Sequence, residues 1–150
     1  MVYFGYFPLI AIVVFIYNML AFGGQVFGAV DPNAMDAELA KTLFQVTMVS
    51  GQAWKVSVSD ILVLAGLGML FQEILRSANP DKSAIVNHGL SMALFVVTLI
   101  EFLILKGFAT STYFLIMCMT LFDVIAGFTI SIMAARRDID VNSAGGLTLK

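Results

Sequence analysis

Cysteine and histidine are almost missing from this 150-residue chain, which contains one of each, Cys118 and His88. A single cysteine excludes an internal disulfide, a Cys-x-x-Cys redox pair and a cysteine cage for zinc. A single histidine excludes a haem held by two histidines of one chain, and a site of two histidines and a carboxylate would need two copies of it. We therefore expect no metal and no cofactor, and we expect Cys118 to pack as a small hydrophobe.

Charged residues are also few, with eight Lys and Arg against ten Asp and Glu, for a net charge of −2. Basic residues cluster only at Arg136-Arg137, so the chain lacks the electrostatic footprint of a nucleic-acid-binding protein. It also lacks a glycine-rich phosphate loop, a His-Glu-x-x-His motif and a credible Ser-His-Asp set. We therefore expect no nucleic-acid partner and no enzymatic activity.

Long apolar runs are what the sequence does contain. Hydrophobic residues make up 60% of it, and four runs approach the ~20 residues that span a bilayer: 2–22, 59–77, 84–105 and 112–135. The first run lacks the basic start of a signal peptide, so we expect it to be retained as a span. The sequence predicts an all-α integral membrane protein of one domain, an antiparallel four-helix transmembrane bundle with the lipid bilayer as its solvent.

Basic residues indicate the orientation of this bundle. With four spans, the termini and the loop at 78–83 share one side, which carries Arg76, Lys82, Arg136, Arg137 and Lys150, whereas the other side carries Lys41, Lys55 and Lys106. Because cytoplasmic loops are enriched in Lys and Arg, both termini are expected in the cytoplasm.

The segment between the first two spans starts with Asp31-Pro32, a pair typical of a helix N-terminus. An amphipathic helix over about 32–50 is predicted, because apolar residues recur there at three- and four-residue steps. Trp54 after it suits the headgroup level as an interface anchor. We expect this helix to lie in the membrane interface, and docking of a partner is the alternative.

Acidic residues inside the spans are the most informative, since a charge at the bilayer centre costs on the order of 3 kcal/mol. Asp123 falls near the midplane of the fourth span, whereas Glu73 and Glu101 lie about one turn from the ends of theirs. His88 is expected at the depth of Glu73 and within hydrogen-bonding reach of it. Helical spacing turns further polar residues toward the bundle interior: Asn18, Asn87, Ser91, Thr98 and Thr120.

Two interpretations of Asp123 remain open. The acid either joins helices through hydrogen bonds, as a buried carboxyl can, or accepts protons in a transport or relay path. The second interpretation lacks the broken helices and internal repeats that many transporters show.

Several segments carry a resemblance: Leu43–Gly51 with Trp54, Ser59-Asp60, Glu101–Leu103, and Asp123–Phe128 through Ala135–Asp138. Together they resemble an uncharacterised family of small four-span bacterial inner-membrane proteins. The resemblance covers most of the chain and implies the architecture and a bacterial inner (cytoplasmic) membrane. It transfers no functional residues.

The sequence favours a non-catalytic membrane subunit, which assembles through its polar and small helix faces with itself or with a larger inner-membrane complex. The alternative is a small homo-oligomeric proton-coupled transporter or channel that uses Asp123, with Glu101 and Glu73 as further stations. The polar tail 138–150 is expected to become ordered only against a neighbour.

Overall fold

The computed structural model describes residues 7–26, 28, 31–77 and 83–145. Six α-helices and a β-hairpin make up this part of the chain. In chain order they are α1 (Ala11–Asn18), α2 (Gly24–Val26), α3 (Met35–Leu39), β1 (Thr42–Thr47), β2 (Ala53–Ser57), α4 (Val58–Ser77), α5 (Ser83–Ile104) and α6 (Ser111–Gly145). A π-helical segment, Met19–Gly23, joins α1 to α2, and a short 3-10 helix, Pro32–Ala34, precedes α3.

Three helical segments are long and apolar enough to cross a membrane: Val58–Ser77, Val86–Ile104 and Ser111–Met133. Within the described residues they match the second, third and fourth predicted spans to within two residues at either end, so the prediction of helices long and apolar enough to cross a membrane is confirmed for these three. No more than 33% of the most apolar window of any of them is buried inside the chain. Lipid is the solvent that such lengths of exposed apolar helix require.

The first predicted span is only partly described, because residues 2–6 lie outside the described residues. The apolar helix that is described, Ala11–Gly23, is shorter than a span. It packs on the other helices through Val13 and Tyr17, both fully buried. The four-span bundle therefore stays a prediction.

The predicted amphipathic helix over about 32–50 is wrong beyond Leu39, and with it the all-α description. Its start is confirmed, since the Asp31 carboxylate accepts the Asn33 N–H at 2.9 Å with Pro32 in the first turn. Residues 42–47 instead form β1, paired antiparallel with β2. The run Thr-Leu-Phe-Gln-Val-Thr is rich in β-branched and aromatic residues, which favour strands. The loop between the strands, 48–52, contains Gly51 at φ 82°, a conformation that glycine adopts without strain.

The hairpin has one strongly apolar face, because Phe44 lies opposite Val56 and Val46 lies opposite Trp54. Val56 is buried at the base, whereas Phe44 and Trp54 are about half exposed, at 51% and 52%. Trp54 therefore lies on a projecting hairpin instead of after an interfacial helix.

Helix α6 extends further than predicted, to Gly145 instead of about 135. Its sequence continues after the apolar part with Ala134-Ala135-Arg136-Arg137, all strong helix formers, and has no proline. Its 35 residues reach about 52 Å at 1.5 Å per residue, well beyond a hydrocarbon core of about 30 Å. The first eight residues of the predicted polar tail 138–150 are thus helical, and 146–150 lie outside the described residues.

Helices α1 and α4 run antiparallel. The chain before α1 contacts the last turns of α4 through Leu9 and Glu73, and Tyr17 in the last turn of α1 contacts Thr110 before α6. We call these two ends of the molecule the Arg76 end and the hairpin end. Helices α4 and α6 approach closely at Gly66, where an added Cβ would lie 2.8 Å from the Met119 sulfur.

Candidate functional site

Glu73 is the centre of a buried ionic cluster at the Arg76 end. Its side chain is fully buried, one carboxylate oxygen accepts the Leu9 N–H at 2.8 Å, and the other accepts the Asn87 side-chain amide at 2.6 Å. Arg76 completes the cluster with a 2.7 Å ion pair to Glu73 and a hydrogen bond to the Phe7 carbonyl oxygen. Because both oxygens of this buried carboxyl group have hydrogen-bond partners, the cluster fastens the chain before α1 to α4 and α5.

The predicted hydrogen bond between Glu73 and His88 is wrong, because Glu73 binds the preceding residue, Asn87. Consecutive residues of an α-helix point about 100° apart, so His88 faces α6 instead. Its ring meets Phe128 edge-on at 4.3 Å and lies directly over Gly127.

Asp123 and His88 share a small polar cavity between α5 and α6. The cavity holds about 30 Å³, which is room for one water molecule. It is lined by Ser77, Asn87, His88, Ser91, Asp123, Gly127, Ile130 and Ser131. Asp123 is only 4% exposed, and Ser91 is a hydrogen-bonding neighbour of its carboxyl group.

Two polar atoms at this cavity have no hydrogen-bond partner within the described part of the chain: Oδ2 of Asp123 and Nε2 of His88. Buried polar atoms in proteins are nearly always paired, so an unpaired carboxyl oxygen and an unpaired ring nitrogen at one cavity call for an explanation. A water molecule in the cavity would be able to hydrogen-bond to both atoms.

Thr98 and Thr120 connect α5 to α6 halfway along the bundle. Both side chains are fully buried, and their hydroxyl oxygens lie 3.2 Å apart. Thr120 is one helical turn from Asp123 on α6, and Thr98 is one turn from Glu101 on α5.

A second polar cluster, at the hairpin end, is built around Glu101. One of its carboxylate oxygens accepts hydrogen bonds from the Tyr113 hydroxyl and from the Asn18 amide, the latter at 3.3 Å. The ring of Tyr113 packs against that of Tyr17 at 4.5 Å, and the Tyr17 hydroxyl lies 2.7 Å from that of Thr110.

A polar cleft of about 260 Å³ reaches this second cluster from outside the bundle, with Asp36, Lys106, Gly107 and Thr110 among its lining residues. Polar side chains therefore follow one another from the Asp123 cavity, through Thr120 and Thr98, to Glu101 and the cleft. We call this set the polar stripe.

The seven polar residues selected from the sequence all lie between the helices. They form one group at each end of the bundle, and one residue lies between the groups. Glu73, Asn87, His88 and Asp123 lie toward the Arg76 end, Asn18 and Glu101 lie toward the hairpin end, and Thr98 lies between them. Sequence reasoning missed Tyr17 and Tyr113, which count as apolar in a hydropathy pattern. Their hydroxyl groups were the available clue, because a buried tyrosine usually has a hydrogen-bond partner.

In the part of the chain that the structure describes, no group of three or more His, Cys, Asp or Glu side chains is placed to hold a metal ion. Cys118 is a free, half-buried thiol. Comparison of the chain with protein-family models, curated proteins and solved structures returned no match.

Proposed function

We propose that this chain is a small membrane protein that conducts protons along the polar stripe, with Asp123 as the residue that binds and releases them. The unpartnered Asp123 oxygen and His88 nitrogen at one water-sized cavity support this proposal most strongly. Intramembrane acids are expensive, and proton relays are one of the functions that retain them.

The route has three steps. Protons enter from the Arg76 end through the cavity, where a water molecule exchanges them with His88 and Asp123. The hydroxyl groups of Thr120 and Thr98 lie 3.2 Å apart and also donate to the Met117 and Phe95 carbonyl oxygens of their own helices; by rotating away from those carbonyls they would bridge the middle of the bundle. Glu101 and Tyr113 then receive the proton. Tyr17 and Thr110, whose hydroxyl oxygens lie 2.7 Å apart, lead from there to the polar cleft at the hairpin end, which Thr110 lines.

Glu73 has a different role in this proposal from the relay station expected from the sequence. Because Arg76, Asn87 and the Leu9 N–H already occupy its carboxylate oxygens, it serves as a fixed anion that holds the helices in register. Each proton that Glu73 took up would weaken its bonds to Arg76, Asn87 and the Leu9 N–H, so Glu73 would be a poor proton carrier.

The setting proposed for this activity is the bacterial inner membrane, with the helix Ala11–Gly23 completing a four-span bundle and both termini in the cytoplasm. The resemblance to small four-span bacterial proteins and the distribution of Lys and Arg support it. Flux through a homo-oligomer, with one stripe in each copy, fits the small size of the chain.

The test is proton flux into liposomes that contain the purified protein and a trapped pH-sensitive dye. An Asp123→Asn variant keeps the size of the side chain but its amide cannot take up the proton, so the flux should fall by at least about tenfold. The matched control is Glu38→Gln, an acid in α3 whose ion pair with Lys41 is outside the polar stripe. Unchanged flux in Asp123→Asn, with unchanged elution in detergent, would contradict the proposal.

A second candidate function is the non-catalytic subunit favoured by the sequence, and the hairpin is the observation that supports it. Leu43, Phe44 and Trp54 are each more than half exposed outside the helices, an apolar surface of the kind that docks a partner. Part of the polar and small faces expected to drive assembly packs inside the chain, as at Thr98, Thr120 and Gly66. In this second candidate the hairpin is therefore the assembly surface that we propose.

Purification in mild detergent, followed by mass determination, tests this second candidate. A stoichiometric partner or a second copy that is lost on Phe44→Ser would support it. The matched control is Phe71→Ser, which alters a 60% exposed phenylalanine of α4 far from the hairpin. A monomer without partners in the wild type would contradict it.

A further inference from the structure

A lateral groove beneath the hairpin has no part in the polar stripe. It has a volume of about 450 Å³ and lies between the first turns of α4 and α6, with β2 as its roof. Its apolar lining includes Trp54, Val56, Leu64, Leu67 and Leu115, and its polar lining consists of Ser59, Asp60, Ser111 and Thr112. The groove opens on the exposed side of two membrane-spanning helices, so lipid is what it meets.

The length of the groove matches one leaflet of a bilayer. From Val58 at the start of α4 to Leu67 the helix rises about 13 Å, close to half of a hydrocarbon core of about 30 Å. Leu64 and Leu67 are 66% and 50% exposed along this path. An acyl chain lying parallel to α4 would cover them.

The two ends of the groove differ in polarity, as those of a phospholipid do. The apolar side chains extend into the span, whereas the polar side chains gather at the first turns of α4 and α6. Trp54 lies over this polar end, and tryptophan is enriched at the depth of lipid headgroups.

Charge selects the headgroup. Asp60 is the one charged residue among those that line the groove, and its carboxylate carries a negative charge without a lysine or arginine beside it there. It also starts α4, since Oδ2 accepts both the N–H and the hydroxyl of Ser57, at 2.8 and 2.6 Å. Both of these bonds use Oδ2, so a donor from outside can approach through Oδ1. Such a carboxylate attracts an ammonium group and repels an anionic headgroup.

We propose that this groove binds a single phospholipid whose headgroup ends in a primary ammonium, with the ammonium on Asp60 and one acyl chain along Leu64 and Leu67. The inference is independent of proton conduction. A trimethylated headgroup carries the same charge but cannot donate a hydrogen bond, so it should bind less well.

Native mass spectrometry of the full chain in detergent, titrated with phosphatidylethanolamine, phosphatidylcholine or phosphatidylglycerol of the same acyl chains, measures the selectivity. The wild type should bind phosphatidylethanolamine about fivefold more tightly than phosphatidylcholine, as expected for one contact at a wet interface, and phosphatidylglycerol least. Asp60→Asn keeps an oxygen for the Ser57 bonds while it removes the charge, and it should abolish this order. Equal affinities for the three lipids in the wild type would overturn the proposal.

A variant that fills the groove tests its location. Leu64→Trp should remove the bound lipid, whereas Leu103→Trp should not, because Leu103 is a 70% exposed residue of α5 outside the groove. Both variants add the same bulk to a lipid-facing helix surface. Retention of the bound lipid by Leu64→Trp would place the lipid elsewhere and overturn the proposal.

Discussion

The imidazole of His88 lies so close to Gly127 that a Cβ added at position 127 would come within 2.4 Å of its Nδ1. Glycine is therefore required on α6 for the ring to lie over it, beside the cavity that Asp123 shares. Phe128 packs edge-on against the same ring and limits its movement. The position of the one histidine in the chain thus depends on its neighbours on α6.

Gly127→Ala should consequently displace the His88 ring and lower the proton flux. Overpacking of this kind costs about 1–3 kcal/mol, which a thermal or denaturant titration in detergent would register. Gly68→Ala is the matched control, because nothing lies within 4 Å of a Cβ added there. It should leave the stability unchanged or raise it by up to about 1 kcal/mol, as alanine favours a helix over glycine. Equal effects of the two substitutions would argue against the close contact.

Glu73→Gln should destabilise the bundle by about 1–3 kcal/mol, because a neutral amide weakens the ion pair with Arg76 and places an NH2 group where a fully buried carboxylate oxygen accepts a hydrogen bond. Unfolding in mixed micelles measures the loss. Glu38→Gln removes an acid from a largely exposed ion pair with Lys41 and should cost less than about 1 kcal/mol. If Glu73→Gln were as mild as this control, the ionic cluster would not hold the helices together.

Thr98→Val and Thr120→Val should each cost about 1 kcal/mol of stability and reduce the proton flux. Their effects should add only in part, since both remove the same 3.2 Å contact between the hydroxyl groups, while each also removes a bond to a carbonyl oxygen of its own helix, Phe95 for Thr98 and Met117 for Thr120. A double-mutant cycle measures this coupling. Thr129→Val serves as the control, because the Thr129 hydroxyl is exposed and bonds only the Ile125 carbonyl oxygen of its own helix. Additive stability effects would mean that the two threonines do not interact across the bundle.

Gly51→Ala should strain the hairpin loop by about 1–2 kcal/mol, because at φ 82° the Cβ of alanine lies too close to the following carbonyl oxygen. Hydrogen exchange at the β1 amides should quicken while that of α4, α5 and α6 stays the same, since the hairpin projects from the bundle. Ser50→Ala, one residue earlier in the same loop, should leave the exchange unchanged. If the β1 amides of Gly51→Ala exchanged as slowly as those of the wild type, the loop would not need glycine at this position.

The apolar runs alone were enough to predict three helices, because a segment that crosses a bilayer is restricted to about 20 apolar residues in a helix. The hairpin could not be predicted in this way. Apolar residues at Leu39, Leu43 and Val46 fit a helical period, whereas Phe44 and Val46 fit the alternation of a strand, and the pairing with β2 decides between them.

The level of a residue along its helix was easier to predict than the direction in which its side chain points around the helix axis. Helical counting placed Glu73 and His88 at one level, but a single residue turns a helix by about 100°, so Asn87 took the contact instead. Tyr17 and Tyr113 were not among the predicted site residues, because a hydropathy pattern counts the aromatic ring and ignores the hydroxyl group.

The most direct test of proton binding at Asp123 is infrared difference spectroscopy of the protein in lipid, recorded across a pH titration. In the wild type a protonated-carboxyl band should appear as the pH falls and disappear as it rises, and this band should be absent from Asp123→Asn and altered in Gly127→Ala. A titrating carboxyl band that persists unchanged in Asp123→Asn, or no titrating band in the wild type, would contradict proton binding at Asp123.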